Sequence, residues 1–304
     1  MNKVLNLESY TTEKRNRNTM NLDSMNSMEI AMVANKEDEN VVKAVQAVIP
    51  QIADAIDMAA ETLCMQGRLF YIGAGTSGRL GVLDASECPP TFGVPQELVT
   101  GIIAGGREAL FHAVEGAEDS TILAEEDLKK QELTAKDMVV GLSASGRTPY
   151  VLYGLKYASS IGCKTAAIAC NKDSIIGKEA DIAIEPVTGP EILTGSTRLK
   201  AGTAQKMILN MISTGSMVKI GKVYENLMID LQNTNEKLAV RTENIVMNAT
   251  SSDRETARRL LKEADGSAKI AITMFLLNKS AKEAKAILKS ANGSIRKSMR
   301  EKIE

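Results

Sequence analysis

The sequence predicts an α/β fold: a parallel sheet covered by helices on both faces, followed by a small helical module. Three observations predict it. Short runs such as 137–142 and 164–169 are apolar almost throughout and alternate with helix-compatible stretches, and continuous apolarity marks strands buried on both faces. A glycine-rich loop, 73–78, and a serine-rich loop, 143–148, each follow such a run, at the carboxyl ends where parallel sheets place their ligands. After Ser252 the strand pattern gives way to helical spacing.

Residues 1–27 are polar, without a sustained apolar period, and predict a flexible arm. Helical periodicity starts near Ser27 and is strong from Val41 to Met65, where Val41, Val45, Val48, Ile52, Ile56 and Ala59 recur every three or four residues. There follow a strand at 68–72, a helix at 76–87 stopped by Pro89-Pro90, and a strand at 98–104. Helices are expected at 107–116 and 120–130, then a strand at 137–142. Thr148 is placed as the N-cap and Pro149 as the first residue of a helix over 149–160. Strands at 164–169 and 181–185 and a helix at 198–219 complete the alternation.

The segment 221–250 is mixed, with Asn226, Asn233, Asn235 and Asn244 among apolar residues. Beyond it, Ser252-x-x-Glu255 and Ser280-x-x-Glu283 read as capping boxes, with a third helix at 269–277 between them. Leu260, Leu261, Ile270, Ile272, Met274, Leu276, Leu277, Ile287 and Leu288 would fill a three-helix core. The division is then an N-terminal arm and helix over 1–45, a central domain over 46–235 and a helical module over 236–304.

Composition excludes several classes. A net charge of −1 over 304 residues gives no electrostatic footprint for nucleic acid, and four Phe, six Tyr and no Trp leave few stacking platforms. No apolar run approaches the roughly 20 residues that span a bilayer, and the N-terminus has no signal-peptide core, so a cytoplasmic protein without a membrane partner is expected. Cys64, Cys88, Cys163 and Cys170 lack C-x-x-C spacing, and with the single His112 they make no zinc set; they read as buried apolar residues. His112 reads as packed in a helix. No metal or cofactor is expected, and chemistry falls to carboxylates, hydroxyls, lysines and arginines.

Gly73-Ala74-Gly75-Thr76-Ser77-Gly78 joins a strand to a helix start, where free N–H groups and the positive dipole end attract an anion such as phosphate. The loop also spells G-x-G-x-x-G, but a dinucleotide site needs an acid at the end of the next strand, and Gly105-Gly106-Arg107 stands there. Arg107 leaves a phosphorylated ribose as the alternative. At Ser143-Ala144-Ser145-Gly146-Arg147-Thr148, three hydroxyls and several N–H groups converge on a second helix start and suit phosphate oxygens without a metal. A well-capped turn is the structural alternative.

Ser143-x-Ser145-Gly146-x-Thr148 together with the loop 73–78 resembles the sugar isomerase (SIS) domain of phosphosugar-binding proteins. More narrowly, Gly73 to Pro90, Ala113 to Asp119, Ser143 to Tyr150 and Gly195 to Lys206 resemble the N-acetylmuramic acid 6-phosphate etherase family. The likeness runs from Thr12-Glu13 to the C-terminal helices; where family arms often carry a proline beside Arg15-Asn16, Arg17 stands.

The resemblance implies a SIS fold with a UBA-like C-terminal module, and a lyase that releases D-lactate from N-acetylmuramate 6-phosphate, leaving N-acetylglucosamine 6-phosphate, in peptidoglycan recycling. It implies a homodimer, since SIS domains usually pair and share sites. It assigns Glu87 as proton donor to the departing lactate and Glu118 as the base, with Glu115 the alternative to Glu118. Ser143, Ser145 and Thr148 would hold the 6-phosphate, with Thr76 and Ser77 beside the sugar. The residues add one argument for Glu87: a carboxyl closing a helix just before Pro89-Pro90 faces the negative dipole end and stays protonated, fit to donate. Arg198 or Lys200 could pair with the lactyl carboxylate, or simply cap a basic helix start. A phosphosugar sensor and an aldose–ketose isomerase are the competing readings, and the two glutamates favour elimination.

Overall fold

The computed structural model describes residues 10–231 and 236–300. The first nine residues of the predicted arm, Asn233, Asn235 and the predicted boundary at 235 lie outside the described residues. The chain divides into two compact units: one takes in the chain as far as Ser86 together with Glu97–Ser213, the other Glu87–Gln96 and the chain from Thr214.

Along the chain, α1 (Ser27–Gln46) and α2 (Ile49–Cys64) lead into β1 (Leu69–Gly73), α3 (Gly75–Phe92) and β2 (Val99–Ile103). Then follow α4 (Leu123–Lys130), β3 (Met138–Leu142), α5 (Pro149–Ser160), β4 (Lys164–Ile168), α6 (Ile175–Glu179), β5 (Ile182–Ile184) and α7 (Lys200–Lys219). The five strands are all parallel, in the order β2-β1-β3-β4-β5. Leu69, Phe70, Ile72, Met138, Val139, Val140 and Leu142 have no exposed surface, as the continuous apolar runs require. Each such side chain contributes about 1.5–3 kcal/mol relative to exposure.

The register positions the site. Gly73 is level with both Ile103 and Leu142, and Leu142 with Ile168, so the loops after β1, β2, β3 and β4 leave the sheet at one level. The strand order reverses between β1 and β3, where open parallel sheets leave a crevice for ligands. The glycine loop and the serine loop flank that crevice.

Expectations for four segments up to residue 116 are corrected. The periodic stretch 27–65 is two helices, because the chain turns at Ala47-Val48 and Pro50 starts the second. The helix after the glycine loop does not stop before its prolines: Pro89 and Pro90 lie inside α3, and the stop is Gly93 at φ +61°, where a Cβ would stand 2.0 Å from the Asp230 carbonyl oxygen. The segment 107–116 is a five-residue 3-10 helix, Gly106–Leu110, followed by turns, with left-handed glycines at 105, 106 and 116. Residues 10–26 form three 3-10 turns with Thr12, Asn16 and Thr19 buried, held by Thr11 N–H to Asn171 Oδ1 (2.7 Å) and Thr19 Oγ1 to the Ile192 carbonyl (2.8 Å).

In the second unit, a two-stranded hairpin, β6 (Val223–Tyr224) and β7 (Leu227–Met228), precedes α8 (Glu236–Thr250), α9 (Arg254–Glu263), α10 (Ala268–Leu277), α11 (Ala281–Ser290) and α12 (Ile295–Arg300). The predicted three helices are α9 to α11. They share their core with α8 and α12 through Val246 and Ile295. The Ser280 capping box is present, whereas α9 is capped by Asp253, whose carboxylate accepts the Thr256 N–H at 2.7 Å. Cys88, Cys163 and Cys170 are buried, but Cys64 is exposed.

Candidate active site

The serine loop is built around Ser143. The residue is 3% exposed, and its hydroxyl shares hydrogen bonds with Thr148 Oγ1 at 2.7 Å and Ser145 Oγ at 3.3 Å and accepts the Gly146 N–H at 3.0 Å. Thr148 is the N-cap of α5 by its backbone, with Pro149 at the first position, but its hydroxyl makes no cap bond and turns to Ser143. Three hydroxyls thus converge, as the spacing predicts. Gly146 has no substitute: its φ is +73°, and a Cβ would come within 2.4 Å of Ser174 Cβ.

Residues distant in sequence hold this loop. Asn171 donates to the carbonyls of Ala144 (3.2 Å) and Ser145 (3.4 Å) and to Thr12 Oγ1 (3.1 Å). The N-terminal segment is therefore latched to the loop, and Tyr10 lies under the Arg147 guanidinium, 5.4 Å from the ring centroid. Ser145, Thr148, Arg147, Tyr10, Asp119 and Glu118 line one cavity of about 280 Å³.

Glu118 is exposed and is tied to α5 by its carbonyl, which accepts the Tyr150 N–H at 3.0 Å. It also lines a second cavity of about 190 Å³, shared with Gly75, Arg79, His112 and Glu115. Glu115 faces only the latter of the two, so Glu118 alone of the pair stands between the glycine loop and the hydroxyl cluster. His112 sits on an exposed turn, not in a helix, and Arg79 fixes that turn by donating to the carbonyls of Leu110 (3.0 Å) and His112 (3.5 Å).

In the glycine loop, Gly75 opens α3 with φ +53° and lines the second cavity. Thr76 turns its methyl group toward Gly202 of α7, and the buried Ser77 hydroxyl donates to Gln205 Oε1 at 2.8 Å. Neither lines the two cavities. Both sit in the first turn of α3, whose N–H groups have no partner within the helix.

Glu87 is exposed on α3 and lines neither cavity. Since α3 continues to Phe92, the helix-end argument for a protonated Glu87 falls. One turn earlier, Asp84 is buried and accepts from Asn210 (2.7 Å) and Ser213 (3.1 Å); burial outweighs these bonds and pushes its carboxyl above the usual range.

The basic candidates separate. Lys200 is buried and pairs with Glu37 at 2.7 Å, whereas Arg198 is exposed and lines neither cavity. Burial alone would raise the Glu37 carboxyl, but hydrogen bonds from Lys200, Asn18 and Asn16 hold it below the usual range. Arg147, Tyr10 and Asn171 join the site unannounced by the motifs; an arginine inside a hydroxyl-rich loop is a signal for the first, and nothing local marks the other two.

Residues 40–159 match the family described as glucokinase regulatory protein N-terminal SIS domain, and 120–214 match the SIS domain. A Pectobacterium atrosepticum protein named N-acetylmuramic acid 6-phosphate etherase is 57% identical over 295 residues, 97% of this chain and 97% of its own. A Clostridium beijerinckii protein of the same name is 56% identical over 297 residues, 98% of each chain. Among solved structures, a phosphoheptose isomerase from Francisella tularensis is 15% identical with a TM-score of 0.44, over 64% of this chain and 100% of that one.

Proposed function

We propose that this chain, which belongs to the N-acetylmuramic acid 6-phosphate etherase family, cleaves the D-lactyl ether of N-acetylmuramate 6-phosphate to N-acetylglucosamine 6-phosphate and D-lactate. As a carbon–oxygen lyase it would serve the recycling of peptidoglycan sugars. The observation that carries the reading is the place of Glu118, which lines one cavity with Ser145 and Thr148 and a second with Gly75 at the head of α3.

In this reading the 6-phosphate sits on Ser145 and Thr148, oriented by Ser143, and the sugar lies toward the first-turn N–H groups of Thr76 and Ser77. With the ring open, the C1 aldehyde acidifies the C2 proton. Glu118 takes that proton; the C2–H electron pair becomes the C2–C3 double bond, and the C3–O bond to lactate breaks. Glu87 protonates the departing oxygen. Water then adds hydroxyl to C3 and a proton to C2, giving the second product.

Glu87 is exposed and lines neither of the two cavities that Glu118 lines. That separation supports a homodimer in which each site takes Glu118 from one subunit and Glu87 from the other. We also retain the partition into an arm and helix (1–45), a phosphosugar-binding domain (46–235) and a C-terminal module (236–304). A cytoplasmic location fits a charged sugar phosphate, and among the described residues no helix is long and apolar enough to cross a membrane. Incubation of the purified protein with N-acetylmuramate 6-phosphate tests the reading: stoichiometric D-lactate supports it, and binding without lactate release points instead to a sensor.

A further inference from the structure

We propose that Arg147 receives the lactyl carboxylate and makes the site selective for a sugar phosphate that carries one; this rests on the etherase reading above. Arg147 lines the cavity of Ser145, Thr148 and Glu118, and its Nη1 is buried with no hydrogen-bond partner among the described residues. A buried, unsatisfied guanidinium N–H costs free energy until an acceptor arrives, more than a neutral donor does. The guanidinium lies over the Tyr10 ring, in cation–π contact.

The substrate chemistry fits this place. The lactyl group hangs on C3, next to the C2 from which Glu118 takes the proton, so its carboxylate lies near Glu118. Glu118 and Asp119 line the same cavity, and a substrate with two anionic groups needs a cation there. Two other cations are already engaged: Arg79, which lines the second cavity, by two backbone carbonyls, and the buried Lys200 by Glu37. Arg147 is the cation that lines the cavity with a donor in hand. The hydroxyl cluster and the N-terminus of α5 suit a tetrahedral phosphate, whereas a planar guanidinium fork suits a carboxylate.

The test compares wild type, Arg147→Gln and Arg147→Lys. Kinetics use N-acetylmuramate 6-phosphate; calorimetric binding uses N-acetylglucosamine 6-phosphate, which has the phosphate and no lactyl group. Arg147→Gln is expected to lower kcat/KM about 100-fold and to change the affinity for N-acetylglucosamine 6-phosphate less than about 3-fold. Arg147→Lys, which keeps the charge and loses the fork, should fall between. It also serves if the glutamine variant does not fold. A parallel loss of N-acetylglucosamine 6-phosphate affinity would assign Arg147 to the phosphate, and unchanged kcat/KM would remove it from the site; either overturns the proposal. A wild-type protein that releases no lactate would instead sink the etherase reading.

Discussion

The backbone N–H of Tyr150 donates to the carbonyl of Glu118 at 3.0 Å, so the segment bearing the proposed base is fastened to the first turn of the helix that the serine loop opens. Tyr150 is fully buried and its hydroxyl reaches Asp127 of α4 at 2.9 Å, which makes that turn a rigid anchor. Glu118 and the serine loop are therefore held by one piece of backbone.

The serines of the two loops should separate by role. Ser143→Ala removes the buried hydroxyl that orients Thr148 and Ser145 and accepts the Gly146 N–H, and is expected to weaken N-acetylglucosamine 6-phosphate binding about 10-fold as well as to cost about 1–3 kcal/mol of stability. Ser77→Ala leaves Gln205 Oε1 without its buried donor and should cost about 1–3 kcal/mol of stability, with less effect on affinity than Ser143→Ala. Calorimetric titration and thermal melts on both variants check this; the opposite pattern would show that the Ser77 hydroxyl faces the ligand.

Gly146→Ala should destabilise the protein by about 3 kcal/mol, because it combines a left-handed backbone with overlap on Ser174. Urea unfolding measures it. A change below about 0.5 kcal/mol would contradict the geometry, since that is the range of neutral surface substitutions.

The Glu37–Lys200 pair gives a pH prediction. Glu37→Gln leaves a buried ammonium without its counter-charge and should cost about 3–5 kcal/mol at neutral pH. Because the folded carboxyl titrates below its unfolded value, its contribution is complete above about pH 4.3 and is lost as pH falls through the lower folded value. The stability gap between wild type and Glu37→Gln should therefore narrow on acidification below pH 4.3; a constant gap would contradict the pair's role.

What the sequence made legible followed from local chemistry. The strands at 69–73 and 138–142 announce themselves by unbroken apolarity, and Thr148-Pro149 by cap chemistry. What it hid depends on contacts across the chain. The N-terminal segment reads as flexible because its hydrogen bonds go to Asn171 and Ile192, about 160 to 173 positions away. Ser252 and Asp253 are both good caps, and only the fold shows that Asp253 takes the role. Pro89-Pro90 reads as a stop although the turn at Gly93 ends the helix. The hydroxyl triad is readable from spacing; the cavity that Ser145 and Thr148 share with Glu118 and Arg147 depends on the sheet register.

That difference in caps is itself testable. Ser280→Ala should lower the melting temperature by about 2–4 °C, the effect of a lost cap of ordinary strength, and Ser252→Ala by less than about 1 °C. Equal shifts would restore the capping box at Ser252.

The most direct test of Glu118 as the base is to incubate wild type and Glu118→Gln with N-acetylmuramate 6-phosphate in deuterated water and follow C2 by NMR. We expect wild type to release lactate and to leave deuterium at C2, and Glu118→Gln to do neither while still binding N-acetylglucosamine 6-phosphate. Exchange at C2 by Glu118→Gln at the wild-type rate would contradict the assignment and move the base elsewhere in the cavity.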